Sequence, residues 1–245
     1  MTLEISRYFD LCLRPASPNF AVHGKSVGML RGAVFFGALA AAWRDTMSTA
    51  APNGLWLRAA TIEQLMGPSD PRFPGEEPDL IDLRPGGDRL GALLQTPMHA
   101  WWPLAGDSKT PRTIRLELPA RGNKVPLLRK LAGHFPRTRF VIDPFAHGPE
   151  TSWMPLVRLA ECENLWLTTL GLTPGPACCW TNKPDIEEAF HFAMGEVGAG
   201  KLLLASGNNL GAEIVDAPGW LGGMLSLDPA QRQLIARDNA IALFA

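Results

Sequence analysis

Short apolar runs alternate with longer stretches of helical periodicity along this chain, the order that successive βα units produce. The alternation is most regular in the second half. There the pattern predicts strands at Thr113–Leu118, Arg139–Asp143, Leu165–Leu170 and Lys201–Ala205, with helices at Val125–His134, Met154–Cys162 and Ile186–Val197 between them. In the first half Tyr8–Leu13, Leu55–Ala59 and Leu80–Leu83 read as strands, and Met98–Leu104, with its two tryptophans, suits another. Leu30–Thr46 reads as a Gly/Ala-rich helix and Arg89–Gln95 as a short one, while the four prolines of Gly67–Pro78 mark a loop. A last helix opens at Asp228-Pro229-Ala230-Gln231. Asp228 suits its cap, Pro229 its first position, and Gln231 the far side of a capping box. Leu227, Leu234 and Ile241 recur every seven residues and mark its expected buried stripe.

Eight strands with intervening helices imply the α/β class and a (β/α)8 TIM barrel. Distortion or a missing helix is expected in the N-terminal half, over residues 50–110, where the pattern is weakest. The length of 245 residues suits one such barrel, and no Ser/Gly-rich or charged linker divides it, so residues 1–245 read as a single domain. Hydrophobic residues make up 46% and charged residues 19%, which fits strands covered on both faces.

Net charge is −1 with no Lys/Arg cluster, so a nucleic-acid partner is not expected. The longest apolar run, Gly32 to Trp43, falls short of the roughly 20 residues a membrane span needs. Glu4, Arg7 and Asp10 stand where an export signal would be apolar. Cys12, Cys162, Cys178 and Cys179 form neither a disulfide framework nor a Cys-x-x-Cys pair, and read as reduced thiols in the cytoplasm. Cys178-Cys179-Trp180 reads as buried packing. Gly195-Glu-Val-Gly-Ala-Gly200-Lys201-Leu202 nearly spells a phosphate-binding loop, but a helix precedes it, a strand follows, and Leu202 cannot hold magnesium.

Several segments resemble the amidohydrolase-related family. These are Arg139-Phe-Val-Ile-Asp143, Trp153-Met-Pro-Leu-Val-Arg-Leu-Ala160, Asn164-Leu-Trp-Leu-Thr-Thr-Leu-Gly171, Lys201-Leu-Leu-Leu-Ala-Ser206 and Asp238-Asn-Ala-Ile-Ala-Leu-Phe244. They cover roughly residues 110–245; in the first half the match rests mainly on Phe9-Asp-Leu-Cys-Leu-Arg14. The resemblance implies a (β/α)8 barrel and hydrolase, lactonase or decarboxylase chemistry, normally with a metal ion at the barrel mouth. It also assigns the ligand positions. The two histidines of the first strand become Cys12 and Arg14, a histidine before a proline becomes Leu118, and an Asp-His pair becomes Asp143-Pro144. The last-strand aspartate becomes Gly207. With these substitutions no metal and no other cofactor is expected, because Arg14 repels a cation and too few donors remain.

Arg14, at the C-terminal end of the first strand, can clamp a carboxylate or phosphate, or instead form an internal ion pair, with Glu117 as partner, that replaces the lost metal. Asp143 and His147, with Glu150, form a candidate acid/base cluster. If Pro144 points into the barrel, Asp143 faces outward by strand alternation, and His147 serves loop structure. Ser206 is a candidate nucleophile, although no base for it is evident, and Asn208 a candidate ligand contact; turn formation explains Gly207-Asn208-Asn209 as well. His99, beside Trp101 and Trp102, lines a pocket or simply packs. The substrate-binding candidates are therefore Arg14, Cys12, Glu117, His99 and Asn208. The expected function is an amidohydrolase-like small-molecule hydrolase, metal-independent and lactonase-type, on an anionic ligand. The alternative is a non-catalytic barrel that binds a ligand or a protein. A homo-oligomer is compatible with either.

Overall fold

The computed structural model describes residues 8–15, 30–35, 44–45, 48, 55–61, 80–83, 112–116, 118, 124–174, 177–207, 209–210, 217–223 and 227–244; the side chains of the first and last strands are not included. Strands β1 (Tyr8–Pro15), β2 (Leu30–Phe35), β3 (Leu55–Thr61), β4 (Leu80–Leu83) and β5 (Thr113–Leu116) come first. Then follow α1 (Val125–His134), β6 (Arg139–Ile142), α2 (Trp153–Arg158), β7 (Leu165–Thr168), α3 (Lys183–Val197), β8 (Leu202–Leu203) and β9 (Asn209–Leu210). The chain ends in α4 (Ala217–Gly222), α5 (Pro229–Gln233), a π-helical turn (Leu234–Asp238) and α6 (Asn239–Phe244).

All strand pairs are parallel, in the order β8-β7-β6-β5-β4-β3-β2-β1-β9. The two ends of this list are one passage of chain. Leu202–Leu203 pairs with β7, and Asn209–Leu210, a few residues on, pairs with Arg14–Pro15 of β1. The described strands therefore close into a barrel of eight parallel strands.

Two apolar clusters follow from strand alternation. Ile81, Ile114, Leu116, Phe140, Ile142, Leu165 and Leu167 face the helices and pack with residues such as Leu128 and Phe190. Leu57, Ala59, Leu80, Val141 and Leu203 face the barrel interior. Leu243 and Phe244 of α6 join this inner cluster beside Leu55 and Leu80, the first residues of their strands, so α6 covers the N-terminal end of the barrel. Arg139 donates to the Leu243 carbonyl there, a cation at a helix C-terminus. Asn239 donates to the carbonyls of Ala199 (2.7 Å) and Leu202 (2.8 Å), which holds the start of β8.

Helix α1 spans the predicted residues, and the Asp228/Gln231 capping box is complete, an arrangement worth about 1 kcal/mol. Three expectations fail. Leu30–Phe35 is a strand rather than the start of a helix; Arg44, Asp45 and Ser48 are helical further on. A continuous apolar run suits a doubly covered strand as well as a buried helix, so periodicity could not separate them. This strand completes the eight, and Met98–Leu104, read as one of them, lies outside the described residues, as does Arg89–Gln95.

The C-terminal stripe is also displaced. Leu227 is buried, but Leu234 and Ile241 are 36% and 42% exposed. Ile235, Ala236, Asn239, Ala240 and Leu243 are buried instead. Leu227 lies ahead of the Asp228 cap and so off the helix, and the π-helical turn at Leu234–Asp238 adds a residue between Leu234 and Ile241, so the three do not mark one helical face. Lastly, Cys178-Cys179-Trp180 is not buried throughout: Trp180 is buried, Cys178 half-buried and Cys179 exposed. Lys201 of the apparent phosphate loop donates to the carbonyls of Glu163 (2.6 Å), Cys162 (3.2 Å) and Leu165 (3.3 Å) and lies over the Trp166 ring. Burial holds its ammonium below the ordinary lysine range. No described helix is long and apolar enough to cross a membrane.

Candidate active site

Above the apolar layer the interior turns polar. In register, Asp82 of β4 sits beside Arg115 of β5, and Ile142 of β6 sits beside both Leu116 and Leu167. One step further, Asp143 reaches the level of Thr168 on β7. Ile81, Leu116, Ile142 and Leu167 all face the helices, so Asp82, Arg115, Asp143 and Thr168 face inward. Four adjacent strands thus bring four polar side chains together at their C-terminal ends.

Arg115 is the largest fully buried side chain described. Its Nη1 donates to Asp82 Oδ1 at 2.9 Å, and its Nη2 donates to Asp143 Oδ2. All three side chains are at most 2% exposed. Thr168 Oγ1 donates to Asp143 Oδ1 at 2.5 Å and accepts the Leu170 N–H at 3.2 Å, so both oxygens of Asp143 are held. A charge this deep is costly unless paired, and one guanidinium bridging two carboxylates meets that condition. The flat fork of arginine suits the task in a way that lysine would not.

The wall beside this layer is a compact loop assembly. The Phe145 carbonyl accepts from Gly148 N–H (3.2 Å), Cys179 S–H (3.1 Å) and the Trp180 indole N–H (2.9 Å). Partial burial, and secondarily the Cys178 thiol, raise the Cys179 thiol above its ordinary range. The rings of Phe145, Trp153 and Trp180 stack edge-on or tilted, with Phe192 closing the group. Gly171, at φ +97°, passes so close to the Phe145 carbonyl that a Cβ would collide with it. Thr169 bonds the Ala205 N–H at 3.1 Å and Thr173 at 2.7 Å, which ties the loop after β7 to the chain after β8.

The residues expected from the sequence are distributed as follows. Asp143 faces into the barrel; alternation runs through Val141 and Asp143, so of the two orientations open from the sequence the inward one holds and Pro144 does not take the inward place. His147 Nε2 meets the Leu118 carbonyl at 2.5 Å, tying the turn after β6 to the end of β5, and Glu150 is exposed. Ser206 is fully buried next to Gly207. The backbone of Arg14 pairs with Asn209. The side chains of Cys12 and Arg14, and the whole of Glu117, His99 and Asn208, lie outside the described residues. An internal ion pair of the kind expected for Arg14 is present on Arg115. Asp82, Arg115 and Thr168 were missed, although a charge in the middle of Leu-Ile-Asp-Leu or Thr-Ile-Arg-Leu was a usable signal.

The described residues at the positions assigned to metal ligands do not fit an ion. Gly207 has φ +65°, and a Cβ there would lie 2.5 Å from the Ala177 Cβ and 2.9 Å from Leu170 Cδ1. A side chain long enough to reach an ion has no room. Leu118 is buried among the helix-facing residues, and the Asp143 carboxylate is engaged by Arg115 and Thr168. Among the described residues no three of His, Cys, Asp and Glu converge as a metal site.

No protein-family model matches the sequence, and no curated protein does. Solved structures do match in shape over nearly the whole chain. An amidohydrolase from Burkholderia multivorans with bound zinc aligns at TM-score 0.61 and 13% identity, covering 97% of this chain and 99% of that one. Amidohydrolase 2 from Bifidobacterium longum subsp. infantis aligns at 0.56 and 17%, covering 97% and 98%. A dihydroxybenzoic acid decarboxylase from Polaromonas, with bound manganese and 2-nitroresorcinol, aligns at 0.53 and 12%, covering 98% and 97%. At these identities the likeness is one of architecture: the chain has the fold of the amidohydrolase barrels.

Proposed function

We propose that the chain is a small-molecule hydrolase of the amidohydrolase type that acts on lactones or similar esters without a metal ion. The observation that supports this reading is the polar layer of Asp82, Arg115, Asp143 and Thr168 at the C-terminal ends of β4 to β7. That end is where (β/α)8 barrels carry their chemistry, and the layers of such barrels are otherwise filled mainly with branched apolar side chains. In this reading Asp143, oriented by Thr168 and Arg115, is the base. It takes a proton from water as the water oxygen adds to the carbonyl carbon. It returns that proton to the ring oxygen as the carbon–oxygen bond breaks, so one water is consumed and a hydroxy acid leaves. Arg14 holds an anionic group of the substrate, with Cys12, Glu117, His99 and Asn208 around it; Ser206 and His147 support the loops.

The test is hydrolysis of a panel of γ- and δ-lactones and aryl esters by protein stripped with a chelator. Turnover is expected to survive stripping, and Asp143→Asn is expected to lower it by about 100-fold or more. The variant is compared below its own unfolding temperature, since it also weakens the Arg115 pairing. Turnover that needs added metal, or that Asp143→Asn leaves unchanged, would defeat this assignment. The near-complete burial of Asp143 favours a second reading, a non-catalytic ligand-binding barrel. Saturable binding of small carboxylic acids with no turnover of any panel member would select it.

A further inference from the structure

The geometry points to Arg115 as the resident cation of the barrel mouth, standing where a divalent ion would otherwise join the carboxylates of Asp82 and Asp143. Two observations meet in this assignment. The first is the bridge itself. One guanidinium, carried by the middle strand of three, contacts a carboxylate on each side, and all three groups are buried. Thr168 adds a hydroxyl oxygen to the Asp143 side. Without the guanidinium, the carboxylates of Asp82 and Asp143 would face the space it leaves, hard oxygen donors that suit manganese, magnesium or calcium better than zinc. The second observation is independent of the first. At Gly207, the position the family resemblance gives to the last-strand ligand, Ala177 and Leu170 occupy the space a side chain would need. The mouth is thus closed to an ion on the β8 side and filled by a fixed charge on the β5 side.

The consequence concerns electrostatics rather than chemistry. Counted over these three groups alone, a divalent ion would leave the two carboxylates with no net formal charge, whereas Arg115 leaves one formal negative charge. The Thr168 hydroxyl bond to Asp143 spreads that remaining charge. The inference does not depend on hydrolysis and is tested without an activity assay, so it can fail or stand apart from the proposed function.

The experiment is thermal unfolding of full-length Arg115→Ala, alone and with millimolar Mn2+. In the variant Mn2+ is expected to raise the midpoint by about 5 °C or more. Wild type should not move, and the gain should vanish when Asp82→Asn is added. Methylguanidinium, which returns the planar cation, should also raise the variant's midpoint. If Arg115→Ala does not fold unaided, recovery of folded protein on refolding with Mn2+ is read instead, against refolding without it. Equal Mn2+ shifts in variant and wild type would overturn the assignment. So would a variant that methylguanidinium restores and Mn2+ does not, because the two carboxylates would then be built for a planar donor only.

Discussion

Arg115→Met should lower the stability of the protein by about 3–5 kcal/mol, because it leaves two buried carboxylates without their shared counter-charge. The methionine fills much of the same volume, so the loss is electrostatic rather than a cavity effect. Urea denaturation at neutral pH measures it. The informative comparison is the triple variant Asp82→Leu, Arg115→Met, Asp143→Leu, which removes charge and counter-charge together. A buried ion pair replaced as a unit by apolar side chains is often neutral or stabilising, so the triple variant should recover most of the loss. A loss below about 1 kcal/mol in the single variant, the scale of exposed pairs, would mean that the pair is solvated. The surface pair Arg129–Glu161, 2.6 Å apart with both side chains more than half exposed, serves as the internal contrast.

Gly207→Asp should fail as a restoration of a metal ligand and should instead destabilise the barrel. Three effects add. The backbone at φ +65° is one that side-chain-bearing residues adopt at a cost of about 1–2 kcal/mol. The new Cβ collides with the Ala177 methyl, and overpacking of this kind costs about 1–3 kcal/mol. The carboxylate then enters a buried place with no described cation beside it. Melting temperature and soluble yield are the readouts, with and without Mn2+ or Zn2+. Ala177→Gly removes the nearer obstacle and should restore part of the stability of Gly207→Asp. A Gly207→Asp protein as stable as wild type would show that the loop after β7 gives way easily.

These residues also show what the amino-acid pattern could and could not reveal. Helix α1 and the Asp228 capping box were legible because both depend on neighbours a few positions apart: a repeating apolar face in one, a paired cap in the other. Leu30–Phe35 was not, since the apolar run that starts at Gly32 suits a strand as well as a buried helix. The heptad of Leu227, Leu234 and Ile241 misled for a related reason. One π-helical turn shifts the phase, and no residue in Leu-Ile-Ala-Arg-Asp announces it.

The polar layer lay between these cases. Its strands are legible in the pattern, and Asp143 stands out as a candidate base, but alternation alone leaves open whether Asp143 or Pro144 points inward. Asp82 and Arg115 stood in plain view within apolar runs. Their partnership depends on the β4–β5 register and on β5 lying between β4 and β6, which are relations between segments about 30 residues apart. Strand alternation supplies facing, but only the sheet order supplies neighbours.

Arg115 is proposed to stand in the barrel mouth as a fixed organic cation in place of a metal ion. The most direct measurement is elemental analysis of protein expressed in metal-replete medium and purified without chelator. No transition metal in stoichiometric amount is expected. Close to one tightly held zinc, manganese or iron per chain would contradict it.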